Sequence, residues 1–172
     1  RGVHASWSSE MSDVFLGSSR TNTFVRHQAF FRWYYPLLGG LVLKNNSEWG
    51  LVTSRFPEGV PLFERYYLGG IFNVRGFRLN RLGPAINAPF TTDPNVTPRQ
   101  TPIGGNMQFY YNLELEFPIL EQVGIRGVVF TDGGNAWNLE RRYAGMAESN
   151  PTDGSVPPFG VDFLDLRFSW GF

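Results

Sequence analysis

Few residues of this chain are placed to do chemistry. In the run 106–117, Glu114 and Glu116 alternate with Leu113, Leu115 and Phe117. On a strand both carboxylates point the same way, about 7 Å apart by strand rise. Paired carboxylates can hydrolyse a glycosidic bond; two acids lining the wall of a cavity are the more ordinary reading. His4 and His27 have no acid at metal-ligand spacing, which argues against zinc. The absence of Cys removes thiolate sites and disulfides. Neither G-x-S-x-G nor H-E-x-x-H occurs. The glycine pairs at 69–70, 104–105 and 133–134 precede no helix and no Lys-Ser/Thr pair, so none reads as a phosphate loop. Asp132-Gly133-Gly134-Asn135 carries too few acids for a calcium turn. The expectation is a protein that is not an enzyme and uses no metal or cofactor.

What remains is a guanidinium. Tyr66–Pro84 reads YYLGGIFNVRGFRLNRLGP, in the middle of the longest segment without a strand pattern, residues 53–104. A loop of that length in a compact protein is functional or disordered. Its aromatics and paired glycines are not a disordered composition, so it reads as a loop folded back onto something. At its centre are Val74, Arg75, Gly76 and Phe77, preceded by Gly69 and Gly70. An Arg carried away from bulk water needs carboxylate partners. Gly76 permits a backbone angle that a side chain forbids, and Val74 and Phe77 can wedge the tip against a wall. The alternative is a solvated Arg75 beside an ordinary turn glycine.

The elements that would position this loop are strands. Period-two alternation marks residues 2–10, 23–35, 41–52, 106–117, 125–136 and 163–172. Val3, Ala5 and Trp7 share a face, as do Val25, Ala29, Phe31, Trp33 and Tyr35; Leu41, Leu43, Trp49 and Leu51; Phe109, Tyr111, Leu113, Leu115 and Phe117; and Leu164, Leu166, Phe168, Trp170 and Phe172. Glu114 and Glu116 lie on the polar side, and Arg126, Val128, Phe130 and Asp132 share one face of 125–136. Connections alternate long and short, and Ala85–Pro102, rich in Pro, Thr and Asn, reads as mobile. There is no convincing helix and no run of 18 apolar residues.

Strands of about ten residues with short turns at one end and long loops at the other fit an all-β, antiparallel up-and-down transmembrane β-barrel. Trp7, Tyr35, Trp49 and Trp170 read as strand-end aromatics and suit interfacial girdles. A soluble sandwich or lipocalin-like barrel alternates too; large aromatics on the apolar faces and the systematic loop lengths favour the membrane. Six strands are too few to close a barrel, which needs about eight. Fifteen basic against fifteen acidic residues give no support for nucleic-acid binding.

The motifs also carry a resemblance. GG-x3-VRGF at Gly69–Phe77 resembles the sixth-loop motif of the BamA superfamily. Phe130-Thr131-Asp132-Gly133-Gly134 resembles that family's F-x-D-x-G strand motif, and Leu115-Glu116-Phe117 the strand segment between the two. The resemblance runs from the strand at 23–35 to the C-terminus. It implies the C-terminal part of a sixteen-stranded bacterial outer-membrane barrel preceded by POTRA domains, with the 53–104 loop entering the lumen. It implies Arg75 paired with Asp132 and Glu116 on the inner wall. The implied function is assembly and insertion of β-barrel proteins, with unfolded barrel clients, accessory lipoproteins and the lipid bilayer as partners. A secretion or transport pore of the same superfamily, and a barrel anchor for a fused enzyme such as a patatin-like lipase, are the alternatives. No POTRA domain or early strand is present, and the family places one more strand beyond Ser169-Trp170-Gly171. The chain therefore reads as a truncation, although LRFSWGF resembles a C-terminal barrel signal.

Overall fold

The computed structural model describes residues 2–88, 99–140 and 165–172. Six strands form one antiparallel sheet in the order β1-β2-β3-β6-β7-β8: β1 Gly2–Ser12, β2 Phe24–Pro36, β3 Val42–Thr53, β6 Met107–Leu120, β7 Ile125–Trp137 and β8 Arg167–Gly171. Each pairs with its neighbour in the chain, apart from the excursion between β3 and β6. That excursion holds a two-stranded sheet, β4 Ala85–Ala88 against β5 Arg99–Pro102. Among the described residues there is no α-helix, only short 3-10 turns.

The six alternating segments correspond to the six strands of the main sheet. The differences are local. β6 runs on to Leu120 through an irregularity between Pro118 and Leu120. The connection to β7 is then one 3-10 turn closed by left-handed Gly124. Leu41 lies just before β3, and β8 starts only at Arg167. The ends of the segment expected to be mobile form β4 and β5; its centre, 89–98, lies outside the described residues, as does Leu164. Neither Trp7 nor Trp49 stands at a strand end: Trp7 is at the middle of β1, and Trp49, level with it across Ala29, is inside β3, with ring centroids 6.0 Å apart.

Register decides which residues share a face, because a one-residue slip would exchange the two faces. Trp7 lies opposite Ala29, Ala29 opposite Trp49, and Trp49 opposite Phe109. Tyr111 lies opposite Gly133, and Gly133 opposite Phe168. This row continues the apolar face, and much of it is open: Trp170 is 80% exposed, and Trp7 and Phe168 are more than half exposed. No second layer covers this face among the described residues. An apolar face of that extent suits lipid rather than water. The polar faces point the other way, towards the long loop between β3 and β6. The buried residues of the chain gather there, in one cluster of Leu68, Val74, Leu82, Tyr110 and Ala136 and another of Phe24, Val52, Val60 and Tyr66. The core therefore lies between loop and sheet.

The two faces should respond oppositely to charge. In the full-length protein folded into bilayers, Leu113→Lys at the centre of β6 should cost about 2–4 kcal/mol. Gln28→Lys on the loop-side face of β2 should change stability by less than about 1 kcal/mol. Denaturant-dependent folding monitored by gel mobility measures both.

Candidate functional site

The loop is built as a stiff arm. Tyr66 and Gly105 exchange two backbone hydrogen bonds of 2.9 Å at its root. Further out, Leu82 N–H donates to the Leu68 carbonyl and Gly70 N–H to the Phe77 carbonyl, each at 3.0 Å. The Asn73 side-chain oxygen accepts the N–H groups of Gly69 and Val74, both at 2.8 Å, and so shapes the tip. Val74 is fully buried with Leu68 and Leu82 against Tyr110 and Ala136, and Phe77 packs beside them. Gly69 has φ +103, and a Cβ there would overlap the Arg78 carbonyl. Gly76 has φ +86, and a Cβ there would lie 3.0 Å from the Ser169 Cβ. Each position therefore combines a left-handed angle with a close approach, and both favour glycine.

This arm delivers Arg75 to the wall. Its backbone N–H donates to Asp132 Oδ2 at 3.0 Å, Nε to the same oxygen at 2.6 Å, and Nη2 to Oδ1 at 2.7 Å. Nη1 meets Glu114 Oε1 at 2.7 Å. The guanidinium carbon sits 3.7 Å from the centroid of the Phe130 ring, a cation–π contact. Asp132 is 0% exposed, so its charge is compensated by the arm rather than by water. The hydrogen bond to Asp132 holds the Arg75 guanidinium above its ordinary pKa against the opposing effect of burial, with Glu114 adding to the rise. At the root of the arm, burial pushes the Tyr66 hydroxyl up to about 12, so it is neutral at physiological pH.

The structure thus brings together Arg75 and Asp132, with Gly69, Gly70, Val74, Gly76 and Phe77 forming the tip that carries the Arg. It does not bring Glu116 to Arg75. Glu116 pairs instead with Lys44 and Arg126. The reason is register: Asp132 is opposite Asn112, Phe130 opposite Glu114, and Val128 opposite Glu116. Glu116 is four residues beyond the level of Asp132, about 13 Å along the strand, too far for one guanidinium to span both. Glu114 is only one same-face step away. Sequence reasoning also missed Asn73 and Asn112, whose side-chain amide donates to the Asn73 carbonyl at 2.5 Å. Asn112 shares the inward parity of Glu114 and could have been found that way; Asn73 has no such signal.

A cavity of about 220 Å³ below the tip is lined by Lys44, Asn46, Phe72, Arg75, Asn112 and Glu114, among others. Its charged groups already have partners in the wall. Among the described residues no three His or acidic side chains gather as a metal site.

An open antiparallel sheet with a lipid-facing apolar side and an ion-paired arm on its polar side defines part of an outer-membrane-type β-barrel with an inward-folded loop. Comparison with known proteins narrows this. The Omp85 superfamily domain matches residues 1–172, and the chain belongs to that superfamily. It resembles the outer membrane protein assembly factor BamA of Nitratidesulfovibrio vulgaris, 30% identical over 149 residues covering 87% of this chain and 18% of the relative. The BamA of Neisseria meningitidis serogroup B is 30% identical over 111 residues, 62% of this chain and 13% of the relative. Among solved structures, BamA from Haemophilus ducreyi lacking POTRA domains 1–3 superposes with a TM-score of 0.73 at 25% identity, covering 99% of this chain and 31% of that one. The chain spans less than a fifth of the length of these curated relatives. It is part of a β-barrel of the bacterial outer membrane.

Removing the guanidinium leaves a fully buried carboxylate without its countercharge. Arg75→Ala should therefore destabilise the full-length barrel by about 3–5 kcal/mol. In double-mutant cycles read by denaturant unfolding, Arg75→Ala should couple to Glu114→Gln and not to Glu116→Gln.

Proposed function

We propose that this chain is the loop-bearing part of the barrel of an outer-membrane protein assembly factor, which folds and inserts β-barrel proteins into the outer membrane. The observation that carries the reading is the attachment of Arg75 to Asp132, an inward brace on a sheet whose other side faces lipid. The relatives named as assembly factors supply the activity. A barrel that admits client strands must tolerate an open seam without losing its shape. An arm fastened to the inner wall would hold the sheet's curvature while edge hydrogen bonds exchange.

The work is non-covalent. Unfolded client strands add to an exposed sheet edge through backbone hydrogen bonds, with no nucleotide and no catalytic residue. The partners are unfolded barrel proteins, the bilayer and accessory assembly lipoproteins. Full-length protein in liposomes, given a urea-unfolded barrel client, tests the brace. Arg75→Ala and Asp132→Ala should each lower heat stability and slow client insertion together, by roughly ten- to a hundredfold, as for misplacement of a positioning group. Wild-type insertion and heat stability in both variants would remove the bracing role.

A further inference from the structure

The arm has a second fixed point. Arg65, one residue before the root at Tyr66, has a side chain that is 0% exposed. Its Nε donates to the Val60 carbonyl at 3.3 Å, and Nη1 to the Gly104 carbonyl at 3.4 Å and to Asn138 Oδ1 at 3.2 Å. Nη2 pairs with Glu140 Oε2. The other oxygen of Glu140 accepts the Val60 N–H at 2.7 Å, and the Glu140 N–H donates to Asn138 Oδ1 at 3.2 Å. One buried guanidinium therefore ties three separate stretches together: the approach to the arm at 60–65, the return at Gly104, and the chain leaving β7 at 138–140. Asn106 closes the same junction. Its side-chain oxygen accepts the Leu139 N–H at 3.1 Å, and its backbone N–H donates to the Trp137 carbonyl at 2.9 Å.

Between this junction and Arg75 the arm is hydrogen-bonded at successive levels: Tyr66 with Gly105, Leu68 with Leu82, and Gly70 with Phe77. Residues 66–70 therefore form a bonded path from the root towards the tip. Asp132 lies on β7 and residues 138–140 follow directly from its end, so the Arg65–Glu140 pair and the Arg75–Asp132 pair are fixed to the same strand. We propose that Arg65 is a positioning residue for Arg75, with the Arg65–Glu140 clamp fixing the arm's root on the end of β7 so that the guanidinium of Arg75 arrives in register with Asp132. This deepens the bracing role proposed above and rests on it.

The test is native-state amide hydrogen exchange on the full-length protein in bilayers, together with client insertion. Exchange reports the arm directly, because the Arg75 N–H itself donates to Asp132. In Arg65→Met, peptides spanning 70–79 should lose protection by roughly tenfold, within the usual range for coupling between two sites. Peptides of the β1–β2 pair should keep theirs. Insertion should slow, and adding Arg65→Met to Arg75→Ala should slow it no further. Glu140→Gln, a milder change, should reproduce the pattern with smaller amplitude and serves if Arg65→Met does not fold. Unchanged protection at 70–79, or equal loss of protection throughout the sheet, would overturn the proposal. Loss of protection at 70–79 without any effect on insertion would leave the positioning intact and remove the bracing role.

Discussion

The structure depends on the pairing of Arg75 with Asp132. A carboxylate with no exposed surface is tolerable only if nearly every lone pair is used. Asp132 meets that condition with three donors from one residue: a backbone N–H, Nε and Nη2. Two of these are the parallel fork that suits Arg to a carboxylate. The third is backbone, so it fixes the path of the chain as well as the side chain. A buried ion pair of this kind is weak evidence for net stability. What it supplies is direction, because no other described carboxylate on this wall is both fully buried and within reach of the tip. The glycines, the Asn73 turn and the Val74 wedge are the conditions under which the tip can present its N–H and guanidinium together.

The same strands also have to satisfy lipid. Backbone groups in a bilayer must be paired, which confines the wall to a continuous ladder. Side chains then divide by parity, with no freedom to move a charge by one residue. Phe130, Asp132 and Gly134 therefore act as a set. Being two apart, all three face the loop, where the first lies under the guanidinium and the second binds it. The third leaves space beside Tyr110, since a Cβ on Gly134 would lie 2.5 Å from the Tyr110 Cβ. The residues between them, Thr131 and Gly133, belong to the other side and lie opposite Leu113 and Tyr111.

Parity also explains what was legible in the sequence and what was not. Alternation located the six strands and assigned Glu114, Glu116 and Asp132 to the loop side, because period two needs no tertiary information. It could not choose between Glu114 and Glu116, which have the same parity; the choice is made by the pairing of Asn112 with Asp132, a long-range register. The loop motif showed that an Arg would need a partner. The clamp at Arg65 was invisible because its acceptors are mainly carbonyls and an amide, spread over residues 60, 104 and 138. The β4–β5 pair was hidden by a composition that reads as irregular, since four-residue strands leave almost no period to detect.

Seen along the strands, most of the loop-side charges fall into levels; Arg32, which donates to Asn46 Oδ1, stands outside them. Nearest the short turns, Glu116 lies between Lys44 and Arg126. Next come Arg75, Asp132 and Glu114. Above them Glu48 accepts the Tyr110 hydroxyl at 2.6 Å and the Gln108 amide at 2.7 Å. Arg26 then bridges Glu10 and Glu64 at 2.9 and 2.5 Å. The clamp of Arg65 and Glu140 fastens the loop's root. Except at Glu48, whose partners are neutral, opposite charges within a level sit on adjacent strands or on the loop and meet at short range despite screening. Levels that close locally couple weakly to one another through electrostatics. Communication between the Arg65–Glu140 clamp and the Arg75–Asp132 pair therefore runs through the bonded path of the arm and through β7, which carries Asp132 and leads into residues 138–140. That makes the stiffness of residues 66–75 as much a part of the site as the charges it carries.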